Sequence, residues 1–182
     1  VSIGIMEYAA LVPCAIASLI AREMADLVGA RAEQFPVPAS VTLDIKSGAL
    51  IVLLALLCAA VSILFCEVLH RTERLFKSRM KNPWIRVVVG ALLVIVLAKV
   101  LGTTDYLGAG MNIVERAIHG ETEPAAFLLK IIFTAITLSC GFKGGEIVPT
   151  LFVGATFGCL FGQVTGLSPS LTAACGMAAV FC

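Results

Sequence analysis

From Ser139 to Gly158 the chain reads SCGFKGGEIVPTLFVGATFG. Two apolar runs are joined by a centre that holds a lysine, a glutamate, three glycines and a proline. These residue types at this spacing suit the holding of an anion. A helix leaves its first backbone N–H groups without partners, and its dipole puts partial positive charge at that end. Glycines allow a sharp turn and the close approach of a ligand. Pro149 fits the first helical turn, where the missing N–H costs nothing. Gly144-Gly145-Glu146-Ile147-Val148-Pro149 thus describes a helix N-terminus whose amides at Gly145, Glu146, Ile147 and Val148 would hold a small anion, with Gly141, Lys143, Gly144 and Pro149 as supporting residues. Backbone amides hold an anion modestly enough to release it, as conduction requires. The competing reading of the same residues is a tight turn between two packed helices.

Several charged residues carry two readings each. Glu146 could shuttle protons or tune anion occupancy; a carboxylate there also favours a helix N-terminus and would compete with an anion. Lys143 could add positive potential near an anion path or snorkel to an interface. Lys130, inside an apolar run, would pair with an acid elsewhere in a longer protein or snorkel. Glu7 and Tyr8 suit an interfacial helix start, and His70 and His119 suit solvated positions beside charged loops. No enzyme constellation is present: no nucleophile elbow, no HExxH, and GFKGGE lacks the GK[ST] ending of a phosphate loop. Cys14, Cys58, Cys66, Cys140, Cys159, Cys175 and Cys182 lie in or beside apolar runs without short paired spacings. They are expected to be packing residues, not a disulfide framework or a metal site, and no cofactor is expected.

The elements that must position this stretch are apolar. Of 182 residues, 59% are hydrophobic and 14% charged, against about 25% charged in soluble domains, and the mean hydropathy is +1.02. An all-α, polytopic membrane protein follows, embedded in a lipid bilayer. A net charge of +1 gives no field for nucleic acid. A helix is expected from about Ser2 to Val28, its Pro13 tolerable within a membrane, then a loop at EQFPVPAS. Gly48 to Leu69 is the cleanest span. EVLHRTERLFKSRMKNPW interleaves Leu69, Phe76 and Met80 with charge, as in a helix end at a membrane surface; a solvated loop is the alternative. Pro83 and Trp84 open a span to about Leu101. GTTDYLGAGMN is a Gly-rich break, followed by a short helix at Ile113–Ile118 and apolar runs at Ala125–Cys140, Ile147–Val164 and from SPSLTAACGMAAVF onward.

Six of the thirteen Lys and Arg fall in one loop: Arg71, Arg74, Lys77, Arg79, Lys81 and Arg86. By the positive-inside bias that loop is cytoplasmic. The loop around Pro36 and the segment Gly102 to Pro124 then face outside. Ala125–Cys140, as a helix, is roughly 24 Å long, short for a crossing. Two short apolar segments split by a Gly/Pro break mark discontinuous helices meeting inside the membrane. Irregular backbone at that depth must be buried in protein or line a watery cavity.

GFKGGEIVPTLFVGATFGCLFG resembles the G-x-F-x-P segment of the CLC family of chloride channels and anion/proton antiporters. YLGAGMNIVERAI resembles the Gly-rich outer turn upstream, LLKIIFTAITLSCGFKGG the preceding helix with its basic residue, and GMAAVFC the start of a later dimer-face helix. The resemblance implies the CLC-type inverted-repeat fold with discontinuous helices. It also implies transport of a small anion, chloride or fluoride, as a channel or, with protons, as an anion/proton antiporter. Gly145 takes the place of the motif glycine, Pro149 that of the motif proline, and Ile147 that of the usual Phe. KGGEIVP is similar to the branch associated with fluoride/proton exchange.

Val1 is not a methionine and the last residues stop inside an apolar run, so an internal piece of a longer protein is expected. Residues 1–28 would end a first repeat and 41–182 form most of a second. The gating glutamate and central tyrosine of the family would lie outside the chain. The resemblance further implies a homodimer, paired partly through YAALVPCAIASLIA with its many small residues, in a bacterial plasma membrane. The alternatives are another transporter with broken helices, or a non-transporting membrane subunit.

Overall fold

The computed structural model describes residues 11–29 and 44–181. The expected helix start at Glu7 and Tyr8, the loop of Pro36 and Pro38, and Cys182 lie outside the described residues. The chain divides into two compact units, Val1–Phe35 and Pro36–Cys182. In the first, α1 spans Leu11–Val28, contains Pro13 and buries none of its residues. The second holds α2 (Ile45–Arg79), α3 (Pro83–Leu101), α4 (Met111–Ile118), α5 (Ala126–Ser139), α6 (Ile147–Thr165) and α7 (Pro169–Phe181). No strand occurs among the described residues.

Local chemistry sets the boundaries. Asp44 accepts from the Ile45 amide and starts α2. This helix runs 35 residues, about 52 Å, so its basic end projects beyond the apolar span. The expected surface segment is therefore the last turns of α2 itself, not a loop. Phe76 is buried there, while Glu67–Arg71 and Glu73–Lys77 pair one turn apart on the exposed side at 2.6 Å each. Pro83 cannot continue a helix, and Asn82 accepts from the Trp84 amide, so α3 starts afresh. Gly102, at φ 67°, ends it.

α2, α3 and α6 are long and apolar enough to cross a membrane. α5, at 14 residues, is short as expected. α6, at 19, is not: it has the length of a crossing, and the expectation of two short segments holds for only one of them. α2, α5, α6 and α7 share a core of Leu54, Cys58, Val61, Phe65, Ile131, Val153, Phe161 and Val180.

α6 and α7 pack through a row of small residues. Gly154, Gly158 and Gly162 recur every four residues along one face of α6. A Cβ on Gly154 would overlap the Gly176 carbonyl, one on Gly158 the Thr172 carbonyl, and one on Gly162 the Thr172 hydroxyl and Pro169. The two backbones approach this closely only because no side chain intervenes. α3 meets α5 in the same manner, since a Cβ on Gly90 would overlap the Cys140 side chain.

These contacts order the ends. The turn after α5 lies against Arg86 and Val87 of α3, so it shares a side with the basic loop. At the other side, Gln163 near the end of α6 donates to the Gly120 carbonyl at 2.8 Å and Ser170 of α7 donates to the Ile118 carbonyl. By the positive-inside bias the first side is expected to be cytoplasmic. A cysteine at position 79, introduced into a cysteine-free full-length protein, should resist an impermeant thiol reagent outside intact cells and react once cells are opened. Labelling from outside would reverse the orientation.

Candidate functional site

The stretch from Gly141 to Pro149 leaves α5 and enters α6. Gly141 takes φ 104°, a left-handed conformation that suits glycine alone and turns the chain off the end of α5. Gly144 and Gly145 do not share that feature. Neither has positive φ, and a Cβ on Gly145 would meet no protein atom within 4 Å. What glycine provides at position 145 is therefore open approach to the backbone, not unusual backbone geometry.

α6 begins at Ile147. The first amide after the turn to find an acceptor is that of Thr150, which donates to the Glu146 carbonyl at 3.1 Å. Among the described residues, no backbone or side-chain acceptor meets the amides of Gly145, Glu146, Ile147 or Val148. Pro149 has no N–H, so the row of free donors ends at Val148. Glu146 sits at the N-cap position with helical φ and ψ, and its carboxylate makes no capping hydrogen bond. The capping role weighed for it is not seen as a bond; only its charge near the positive helix end remains.

A cavity of about 570 Å³ opens beside this helix start. Gly144, Gly145, Ile147, Val148 and Pro149 line one wall. Lys130, Phe133, Thr134, Thr137 and Leu138 of α5 line another, and the turn from Tyr106 to Ala109 closes a third. Gly141, Lys143 and Glu146 are not among its lining residues and are exposed.

Lys130 departs from the snorkelling expectation. It is 1% exposed, so it does not snorkel. It pairs with no described carboxylate; the ion pairs are Arg71–Glu67, Lys77–Glu73 and Arg116–Asp105. Its Nζ donates to the carbonyls of Gly108 at 2.6 Å, Tyr106 at 3.2 Å and Ala109 at 3.4 Å. It also lies 4.8 Å from the centre of the Phe152 ring on α6.

Tyr106 is a residue of this cavity that the sequence reading did not single out. Its ring stacks on Phe133 of α5 and meets Phe152 of α6 edge-on. Its hydroxyl donates to Glu123 at 3.0 Å. Burial, then that hydrogen bond, pushes the Tyr106 hydroxyl up to about 12, so it stays a neutral donor at physiological pH. The signals were Gly108 within the turn and Gly110 just after it, both with positive φ. Gly110 is required twice, because a Cβ there would also collide with Phe152. His70 and His119 are exposed, as expected. The described cysteines are all free, and no group of His, Cys, Asp or Glu among the described residues could hold a metal.

The arrangement is a run of amides without acceptors at a helix start, beside a partly apolar cavity that Lys130 also lines. The family model described as voltage gated chloride channel matches residues 1–182. A chloride/fluoride channel protein of Pseudomonas syringae pv. tomato is 27% identical over 99% of this chain and 41% of its own. The voltage-gated ClC-type chloride channel ClcB of Escherichia coli O17:K52:H18 is 29% identical over 90% of this chain and 40% of its own. Among solved structures, a CLC-type fluoride/proton antiporter superposes with a TM-score of 0.90 at 30% identity, covering 98% of this chain and 46% of that one. The chain thus spans about two fifths of the length of these curated relatives.

Proposed function

The chain belongs to the voltage gated chloride channel family, and from that premise we propose that the full-length protein carries a small anion, chloride or fluoride, across a membrane as a channel or an anion/proton antiporter. The observation that carries this reading is the run of amides from Gly145 to Val148, without acceptors, at the start of α6, with three of the four residues lining the cavity. An anion there would meet several N–H donors and a favourable dipole without a fixed cation as ligand. The fluoride/proton antiporter of like fold and the chloride/fluoride channel relative support fluoride as a candidate beside chloride. The division into the end of one repeat (1–28) and most of a second, inverted one (41–182) belongs to the same proposal. So does a bacterial plasma membrane, supported by three helices of spanning length and by bacterial relatives. Pairing into a homodimer is proposed too; a full-length protein of monomer mass in mild detergent and in bilayers would refute it.

The test is flux from the full-length protein in liposomes, with chloride and fluoride compared and protons recorded in parallel. Efflux of at least one anion above protein-free vesicles is expected. Protons driven uphill by an anion gradient identify an antiporter, and anion flow without them a channel. No flux of either anion from folded protein overturns the proposal.

A further inference from the structure

Two cavities meet at one side chain. Besides the cavity at the α6 start, a smaller one of about 230 Å³ is formed by the turn after α3, by α4 and by the approach to α5. Tyr106 is the one residue common to the two walls. Its side chain reaches from one to the other. The hydroxyl donates at 3.0 Å to Glu123, which lines the smaller cavity. The ring stacks on Phe133, which lines the larger one, with centroids 6.1 Å apart, and Phe152 meets it edge-on from α6. Tyr106 is 5% exposed, so the ring is packed between these groups. The backbone beside it is tied as well: the Leu107 amide donates to the Thr104 carbonyl at 3.0 Å, and the Tyr106 carbonyl accepts from Lys130 at 3.2 Å.

The two spaces differ in charge. Asp105, Glu121 and Glu123 bring three carboxylates to the smaller cavity, against one guanidinium, that of Arg116, which already pairs with Asp105 at 3.3 Å. The larger cavity has no carboxylate on its wall and has the amides without acceptors beside it. A pocket with an excess of carboxylates concentrates cations and repels anions. Joined to the larger cavity, it would oppose whatever the amides attract.

We propose that Tyr106 is a specificity-determining partition: its ring closes the passage between the acidic pocket and the cavity at the α6 start, so that cations gathered by the pocket do not enter. The purpose assigned to the partition deepens the anion-transport reading and rests on it; the partition itself rests on the two walls and the ring between them. A tyrosine suits the position because the ring fills the passage between Phe133 and Phe152 while the hydroxyl finds its acceptor on the polar side. Phe133 and Phe152 hold it from α5 and α6, the two helices between which the larger cavity opens.

The experiment uses the full-length protein, free of its own cysteines and carrying Thr134→Cys, since Thr134 lines the larger cavity and is 7% exposed. Purified in detergent, it is treated with two methanethiosulfonate reagents of like size, one bearing a trimethylammonium and the other a sulfonate. Tyr106→Ala should speed labelling of position 134 by the cationic reagent about tenfold and by the anionic one less, while Tyr106→Phe, which keeps the ring, should stay within about threefold of the parent for both. A tyrosine that only fills the core predicts otherwise: Tyr106→Ala would loosen the fold and speed both reagents alike. Equal gains for the two reagents, or no gain in folded Tyr106→Ala protein, overturn the proposal. If that variant does not fold, Tyr106→Leu decides. It keeps apolar contact with Phe133 and leaves the outer part of the ring's space empty, so the cationic reagent should again gain more; unchanged rates refute the idea. Labelling needs no flux, so wild-type protein without flux refutes the anion-transport reading alone, and the two failures are distinguishable.

Discussion

Full-length protein carrying Gly145→Val should reach the membrane, fold, and pass anions no faster than protein-free vesicles. The expectation comes from two facts about position 145. A Cβ there meets no protein atom within 4 Å, so nothing in the fold resists it, and φ is not in the left-handed region, so the backbone is not strained by it. The residue nevertheless lines the cavity beside amides without acceptors. A branched side chain there obstructs what approaches the amides, and little else. Glu146→Gln should do less, altering rate or pH dependence, because it keeps the amide and removes a carboxylate that lies off the cavity wall. Ile147→Phe should keep transport and shift preference between chloride and fluoride, since it changes side-chain bulk at the wall and leaves the N–H in place. A plain turn between helices predicts near-wild-type efflux from all three. Efflux measured side by side on proteins of equal thermal stability decides, and a well-folded Gly145→Val protein with normal efflux sinks the amide-site reading.

The second large effect lies at the α6–α7 contact. Gly158→Leu should not yield folded protein, and Gly158→Ala should lower stability by roughly 1–3 kcal/mol, the usual cost of overpacking a filled interface. Even one methyl at this position must displace the Thr172 carbonyl of α7, and that carbonyl belongs to helix backbone, which cannot swing aside as a side chain can. Separating the helices then uncovers Val153, Phe161 and Val180, all part of the shared core. Gly48→Ala is the control: a Cβ there meets nothing within 4 Å, so a change within about 1 kcal/mol is expected from helix propensity alone. Thermal unfolding followed by size-exclusion recovery in detergent measures all three. Equal midpoints for Gly158→Ala and wild type would show that the helices yield at this row of glycines.

The helices themselves were written in local sequence. Apolar runs bounded by Pro83, Gly102 and Pro169 lie within a few residues of the start of α2 and of both ends of α3 to α6, and of the start of α7, because span length and helix-breaking residues act locally. GGEIVP likewise announced a helix start with donors to spare, since glycine, proline and unpartnered amides are properties of a few adjacent residues. The continuation of α2 through Arg79 was less legible. Charge interleaved with Leu69 and Phe76 suits a surface helix and a loop alike, and the burial of Phe76 against the rest of the fold favours the helix. The partners of Lys130 were not legible at all. They are backbone oxygens more than twenty residues away, and carbonyls leave no mark in a sequence. The same reason separates Gly141 from Gly145. As letters they are identical, and only the path of the folded chain assigns one the left-handed turn and the other open access to the cavity. Side-chain pattern determined which segments are helices and where one of them offers its amides; the meeting of α5, α6 and the Tyr106 turn around one buried ammonium was decided by tertiary structure, because it is made of main-chain groups that every residue possesses.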